Sequence, residues 1–389
     1  MLRVLISFLL FGDCHMRKSK ALLMCLSVAM LTACHKQTPE EIFEEDATGV
    51  VMILHKYCYE ITFGDGQAVL YISGLDENGN FENLSEDPQA DPEIWNYAFG
   101  TGFFIDDEGT ILTNRHVVKE EVELNDAMHG VKNMVDFLRY LETMELERLS
   151  NKYDSLEYEK ENAYFYIEDM RFVNGNKVAE INALQHDLRE EYAQRLASLE
   201  EMDPKLIVEG MRVRTISEIG IAYHDTHVTT EQDFLEKNPC VVLRVSDDEE
   251  VDLATIQLKD KVTPQGKHVF RTTNEHVDFG DKIKGLFKED GNKELQMGQA
   301  LYMIGFNAGI TLAHTKQGVL AQFTTGNVTQ HPDGRRVLYS IPALPGSSGS
   351  PVLDENGRLV AVNFAKFGDN NSGDFNFGVP LERIKEFLK

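Results

Sequence analysis

The sequence predicts a mainly β chain interrupted once by helix. Short apolar runs, alternating with polar residues and bounded by Gly, Asp or Asn, recur from 49 to 118 and again from 211 to 364. Between 119 and 205 the apolar spacing changes to a helical one. A last helical stretch is expected at 381–388.

The first strands are read at 49–54, 68–72 and 102–105, with a polar surface loop over 74–96. Residues 106–109, Asp-Asp-Glu-Gly, form a hairpin turn leading to a strand at 111–113. In the helical stretch, Val131, Val135, Leu138 and Leu141 are spaced for one face, and Ile181, Leu184, Leu188, Tyr192, Leu196 and Leu199 for another. Asn174-Gly175-Asn176 separates them as a turn, and Tyr164, Phe165 and Tyr166 read as helix packing. The expectation is an acidic helical hairpin or short coiled coil. Strands return at 211–216, 240–245, 254–258, 300–304, 318–322, 337–341, 352–353 and 359–364.

The chain has 389 residues, 42% of them hydrophobic and 26% charged, with a formal net charge of −26. Such acidity repels phosphate backbones and argues against a nucleic-acid partner. Of the five cysteines, Cys14, Cys25 and Cys34 lie near the N-terminus, which leaves Cys58 and Cys240 as a disulfide or as two buried thiols. No Cys or His spacing suits zinc; His224, Asp225 and His227 read as a surface loop, and no metal or cofactor is expected.

Residues 16–34 read MRKSKALLMCLSVAMLTAC. A basic stretch, an apolar core too short for a membrane-spanning helix and a terminal Leu-Thr-Ala-Cys are similar to a bacterial lipobox. That resemblance implies cleavage before Cys34 and acylation of its thiol, with 35–48 serving as a polar tether; the second short apolar stretch at 1–15 leaves Met1 or Met16 as the start. The expected location is the bacterial cell envelope, lipid-anchored.

Three segments carry chemistry. GFFIDDEGTILTNRHVV brings His116 to a strand end, VDLATIQL places Asp252 before a buried strand, and PGSSGSPV carries Ser348 on a glycine bend. A serine hydroxyl needs an adjacent base; His116 takes its proton and later returns it to the leaving amine. Asp252, set against the other imidazole nitrogen, fixes the tautomer. Gly346 and Gly349 let the backbone turn tightly, aiming the amides of Gly346 and Ser348 at one point as an oxyanion hole. Ser347 and Ser350 are alternatives to Ser348, and Asp247, Asp248 and Asp260 to Asp252.

These blocks resemble those of trypsin-like serine proteases, nearest to the bacterial HtrA/Deg and glutamyl-endopeptidase branches. The LYMIGF and NFGVPL segments at 301–306 and 376–381 resemble further parts of the HtrA second barrel. The resemblance covers 49–118 and 206–389, and not 119–205. It implies two six-stranded antiparallel β-barrels of chymotrypsin type with an α-helical hairpin insertion and a C-terminal helix. The expected domains are 1–34 (signal region), 35–48 (tether), 49–118 with 206–261 (first barrel), 119–205 (acidic helical insertion) and 262–389 (second barrel). No PDZ module is expected after it, and Ser350 stands where HtrA relatives carry a second glycine.

The resemblance implies an endopeptidase acting on protein or peptide substrates through an acyl-enzyme on Ser348. A substrate main chain would pair with Asn363, Phe364 and Ala365 by strand addition, with Pro342 at the base of the primary pocket. No Asp stands at Pro342, so a small or medium apolar residue is expected at the cleavage site, with glutamate as the second reading. The insertion 119–205 would contact a partner or another copy, or cap the cleft. Two other functions stay open: an exopeptidase with a helical cap, and a non-catalytic binding protein on the same fold.

Overall fold

The computed structural model describes residues 37–272 apart from 65 and 67, together with 295–364 and 376–389. Cys34 and the lipobox, and Ala365 of the expected substrate strand, lie outside the described residues.

In chain order, helix α1 (Pro39–Asp46) precedes strands β1 (Val50–Phe63), β2 (Ala68–Leu75), β3 (Phe81–Ser85), β4 (Asn96–Phe104) and β5 (Thr110–Thr113). Helix α2 (Leu124–Glu161), strands β6 (Tyr164–Ile167) and β7 (Met170–Val173) and helix α3 (Gly175–Glu201) follow. Next come β8 (Arg212–Tyr223), β9 (Pro239–Val245), β10 (Ala254–Leu258), β11 (Ala300–Gly305), β12 (His314–Thr315), β13 (Gly318–Val319), β14 (Gln322–Asn327) and β15 (Val337–Tyr339). The last elements are β16 (Pro351–Asp354), β17 (Leu359–Phe364), β18 (Asn376–Pro380) and α4 (Leu381–Phe387).

The described residues divide into two compact units: those within 1–55, 98–119 and 218–389 form unit 1, and those within 56–97 and 120–217 form unit 2.

In unit 1 the strand order β1-β4-β5-β10-β9-β8, with a further pairing of β8 to β1, closes a six-stranded barrel. Its interior is filled by Val51, Ile53, Phe104, Ile111, Ile221, Ala254 and Ile256. The second sheet of unit 1 runs β14-β11-β16-β17-β18-β15 and curls into a half-barrel, whose two edges meet at the bridge between Val328 and Tyr339. Leu301, Met303, Val337, Tyr339 and Val352 pack inside it. Another core joins the two sheets: Met52, Phe103 and Leu253 from the first meet Ile304, Leu353 and Val362 from the second. This mainly β architecture is consistent with the chymotrypsin-like fold class.

Of the residues expected as a tether over 35–48, Pro39–Asp46 instead form α1. Thr38 and Glu41 cap it reciprocally, and Ile42 is buried in the core shared by the two sheets. A short amphipathic segment with a capping box folds onto apolar surface.

In unit 2, Tyr59–Phe63 of β1 pair with Ala68–Ile72 of β2, and β2 pairs with β3 inside the stretch expected as a loop. Tyr59, Ile61, Ile72, Ala127, Val131 and Val135 share one core. The helical stretch is therefore not a module by itself: residues 56–97, expected in the first barrel, belong to the same unit. Helices α2 and α3 form a hairpin whose seam is Leu149, Leu156, Ile181 and Leu188. A two-helix seam is narrow, so Leu138, Leu141, Leu184, Tyr192 and Leu196, also expected on packed faces, stay exposed. Tyr164, Phe165 and Tyr166 are not helical: β6 and β7 form a hairpin across Glu168 and Asp169, both at positive φ. Cys58 and Cys240 are both free, buried thiols. Burial pushes them up to about 11 and about 12 respectively.

Candidate active site

The first sheet brings His116 and Asp252 together by strand register. Strands β5 and β10 are antiparallel, with Thr113 opposite Ala254. The chain leaving β5 and the chain entering β10 therefore lie at one end of the ladder. Past Thr113 a one-turn helix, Arg115–Val118, carries His116, held down by buried Val117 and Val118. Val117 fills the space where a side chain on Gly100 would stand, 2.4 Å from that ideal Cβ. On the other side Asp252, 4% exposed, is followed by Leu253 and by Ala254, the first residue of β10, both fully buried.

The contacts are those of an oriented imidazole. His116 Nδ1 lies 2.6 Å from Asp252 Oδ2, and the His116 backbone N–H donates to Asp252 Oδ1 at 3.0 Å. Asn114, fully buried, donates from Nδ2 to the Asp252 carbonyl at 2.7 Å. Both carboxylate oxygens thus face His116, which leaves Nε2 as the ring nitrogen available for proton transfer.

Ser348 comes from the second sheet, on the bend entering β16. Gly346 and Gly349 adopt φ of 95° and 86°, where a side chain is strained. Neither has room for one. A Cβ on Gly349 would stand 2.1 Å from the Thr101 carbonyl oxygen, and one on Gly346 would stand 2.5 Å from Gly309 N.

The bend is gripped from both sheets. Thr101 on β4 donates from its backbone N–H to the Ser348 carbonyl at 2.8 Å and from Oγ1 to the Gly346 carbonyl at 2.8 Å. Its Oγ1 accepts from Phe306 N at 3.0 Å, and its carbonyl accepts from Thr113 Oγ1 at 2.7 Å. From β17, Asn363 Nδ2 donates to the Ser347 carbonyl at 2.9 Å, while Tyr339 donates from its hydroxyl to Asn363 Oδ1 at 2.7 Å. Complete burial pushes the Tyr339 phenol well above its ordinary value, which keeps it a donor. Among the described residues the amides of Gly346 and Ser348 donate to no protein acceptor.

The structure brings His116 and Asp252 into direct contact, and no hydrogen bond among the described residues links His116 to the Ser348 hydroxyl. The second sheet meets His116 through Phe364, whose ring centroid is 6.0 Å from the imidazole's.

Asn363, expected along the substrate main chain, is bonded within the protein. Its amide donates to Ser350 O at 2.8 Å, its carbonyl already accepts from Gly349 N at 3.0 Å, and its side chain is fully buried. One carbonyl lone pair is what it retains for a substrate main chain. Phe364 pairs with Phe377 on β18, and Pro342 is exposed in the loop before the bend. His224 is a packed residue: its Nδ1 accepts from Ala321 N at 3.0 Å, and burial lowers its pKa.

Thr101, Asn114 and Tyr339 escaped the sequence reading. Asn114 sits inside the block singled out for His116, Thr101 lies one residue before that block, and Tyr339 reads from sequence only as strand.

A family model described as a trypsin-like peptidase domain matches residues 218–362. The span contains Asp252 and Ser348 and begins where unit 2 ends; His116 lies before it. With the barrel structure of unit 1, this match supports a trypsin-like serine protease.

Proposed function

We propose that the chain is a serine endopeptidase in which Ser348 attacks the peptide carbonyl, His116 is the general base and then acid, and Asp252 orients and stabilises the imidazolium. The observation that carries this reading is the doubly hydrogen-bonded pair, His116 with Asp252 at 2.6 and 3.0 Å, in the same compact unit as a serine on a tight glycine bend. As Ser348 Oγ bonds to the carbonyl carbon, its proton passes to His116 Nε2. The carbonyl electron pair moves onto oxygen, where the unengaged amides of Gly346 and Ser348 receive it. Collapse expels the amine, which takes the proton from His116; water then repeats the sequence on the acyl-enzyme. Proteins or peptides are the substrates, with a small or medium apolar residue at the cleaved bond. The leader sequence supports lipidation at Cys34 and tethering in a bacterial envelope.

A fluorophosphonate probe tests the nucleophile. Wild-type protein should label and Ser348→Ala should not; an unlabelled wild type would overturn the reading and favour a binding protein.

A further inference from the structure

We infer that Thr101 and Asn363 are positioning residues that aim the oxyanion-binding amide of Ser348, each by gripping carbonyls of the bend rather than by touching substrate. The inference rests on the reading of Ser348 as nucleophile.

In a trans peptide the carbonyl and the following N–H point in opposite directions. Whatever holds the carbonyl of residue 347 therefore sets where the Ser348 amide points. That carbonyl accepts from Asn363 Nδ2 at 2.9 Å and from Ser350 N at 3.1 Å. The carbonyls on either side, Gly346 and Ser348, are both held by Thr101, one through Oγ1 and one through its backbone N–H. The consequence is visible in the neighbouring amides: Ser347 N–H is turned to Leu344 O, and Gly349 N–H to Asn363 O. Among the described residues the Ser348 amide has no protein acceptor.

The grips are themselves fixed. Thr101, Thr113, Ser347, Tyr339 and Asn363 are all 0% exposed. Thr113 Oγ1 holds the Thr101 carbonyl, Phe306 N holds its Oγ1, and the Tyr339 hydroxyl holds Asn363 Oδ1. A buried network in which each member is satisfied has one arrangement, because a rotated side chain would strand a donor or acceptor away from water. Thr101 stands on the sheet that supplies His116 and Asp252, so it ties the base to the nucleophile's amide across the two sheets.

Thr101→Val keeps the shape and the backbone N–H but removes the hydroxyl; Thr101→Ser keeps both. Turnover of an apolar peptide anilide is measured alongside the affinity of a peptidyl aldehyde, whose adduct oxygen occupies the oxyanion position. Losing an oxyanion donor costs about 100- to 1,000-fold, and misaiming one should cost about tenfold or more. Thr101→Val should therefore lower kcat by about tenfold with KM within about twofold, weaken the aldehyde in parallel, and be rescued by Thr101→Ser. Tyr339→Phe, which frees Asn363 Oδ1, should lower kcat in the same sense.

A Thr101→Val protein with wild-type kcat and aldehyde affinity would overturn the inference. Should that variant not fold, Tyr339→Phe decides: reduced kcat at unchanged KM supports the inference, and unchanged kcat refutes it. Wild-type protein that the fluorophosphonate leaves unlabelled would instead bring down the parent reading, and this inference with it.

Discussion

The two sheets of unit 1 hold their share of the site by different means. The first holds His116 and Asp252 through ladder register: Thr113 faces Ala254, and the two residues lie just beyond that pair. The second holds Ser348 on a bend outside its ladders, where glycine vacancies and side-chain donors gripping carbonyls fix the backbone. A ladder is specified by many residues together, so its ends are robust to single changes. A gripped bend depends on a few atoms. Substitutions should accordingly act through chemistry at the first sheet and through backbone geometry at the second.

The largest effect is expected at the ladder end. Asp252→Asn preserves volume and burial but presents an amide to His116 Nδ1, favouring the wrong tautomer. A loss of about 10⁴ in kcat is expected, with the fold retained. Steady-state kinetics and circular dichroism check it; activity within tenfold of wild type would mean that the paired carboxylate is not what the first sheet contributes.

Next comes the vacancy that makes room for the second sheet's unusual serine. A Cβ on Gly305 would stand 1.9 Å from Ser350 Oγ. Gly305→Ala should destabilise the protein by about 1–3 kcal/mol through overpacking. Adding Ser350→Gly should restore most of that loss, a coupling that denaturant unfolding of both single variants and the double variant reads directly. Additive effects would show that the bend tolerates side chains there and that its geometry is set elsewhere.

How much of this was legible follows the same division. Alternation marked the β class, and the TNRH, VDLATIQL and GSSGS blocks pointed to the three proposed catalytic residues because each is local in sequence. The grips were not legible. Thr101 reaches a carbonyl 245 positions away, and nothing near it states that partner. Asn363 was read for its main chain, whereas its side chain turns inward. β1 runs through both units, and an alternating strand does not say where its partners change. The exposed Leu138, Leu141, Leu184 and Leu196 show that helical spacing reveals a face, but not whether anything covers it. The helix at 39–46 carries a sequence signal of its own, the Thr38–Glu41 capping box.

The smallest effect concerns a charge rather than a grip, beside the second sheet. Asp46, at the end of α1, is 4% exposed, and its Oδ2 lies 3.5 Å from where a Cβ on Gly357 would stand. Burial first, and then repulsion from Glu45, push its pKa to about 7. The folded state therefore binds a proton that the unfolded carboxylate releases near its ordinary 3.8. The stability carried by protonated Asp46 is full below that value and is lost as pH rises to about 7. His268, with Nδ1 3.3 Å from Asp46 Oδ1, acts in the opposite sense: burial lowers its pKa, so charging it costs stability as pH falls below 6.5. Asp46→Asn removes the first contribution and leaves the second. The melting temperature of the variant minus that of wild type should rise between pH 5 and pH 8 while kcat at fixed pH stays unchanged, because Asp46 touches none of the bend. A difference that is flat with pH would mean that Asp46 is ionised in the folded protein across that range, and that α1 is held beside the second sheet by an ion pair with His268.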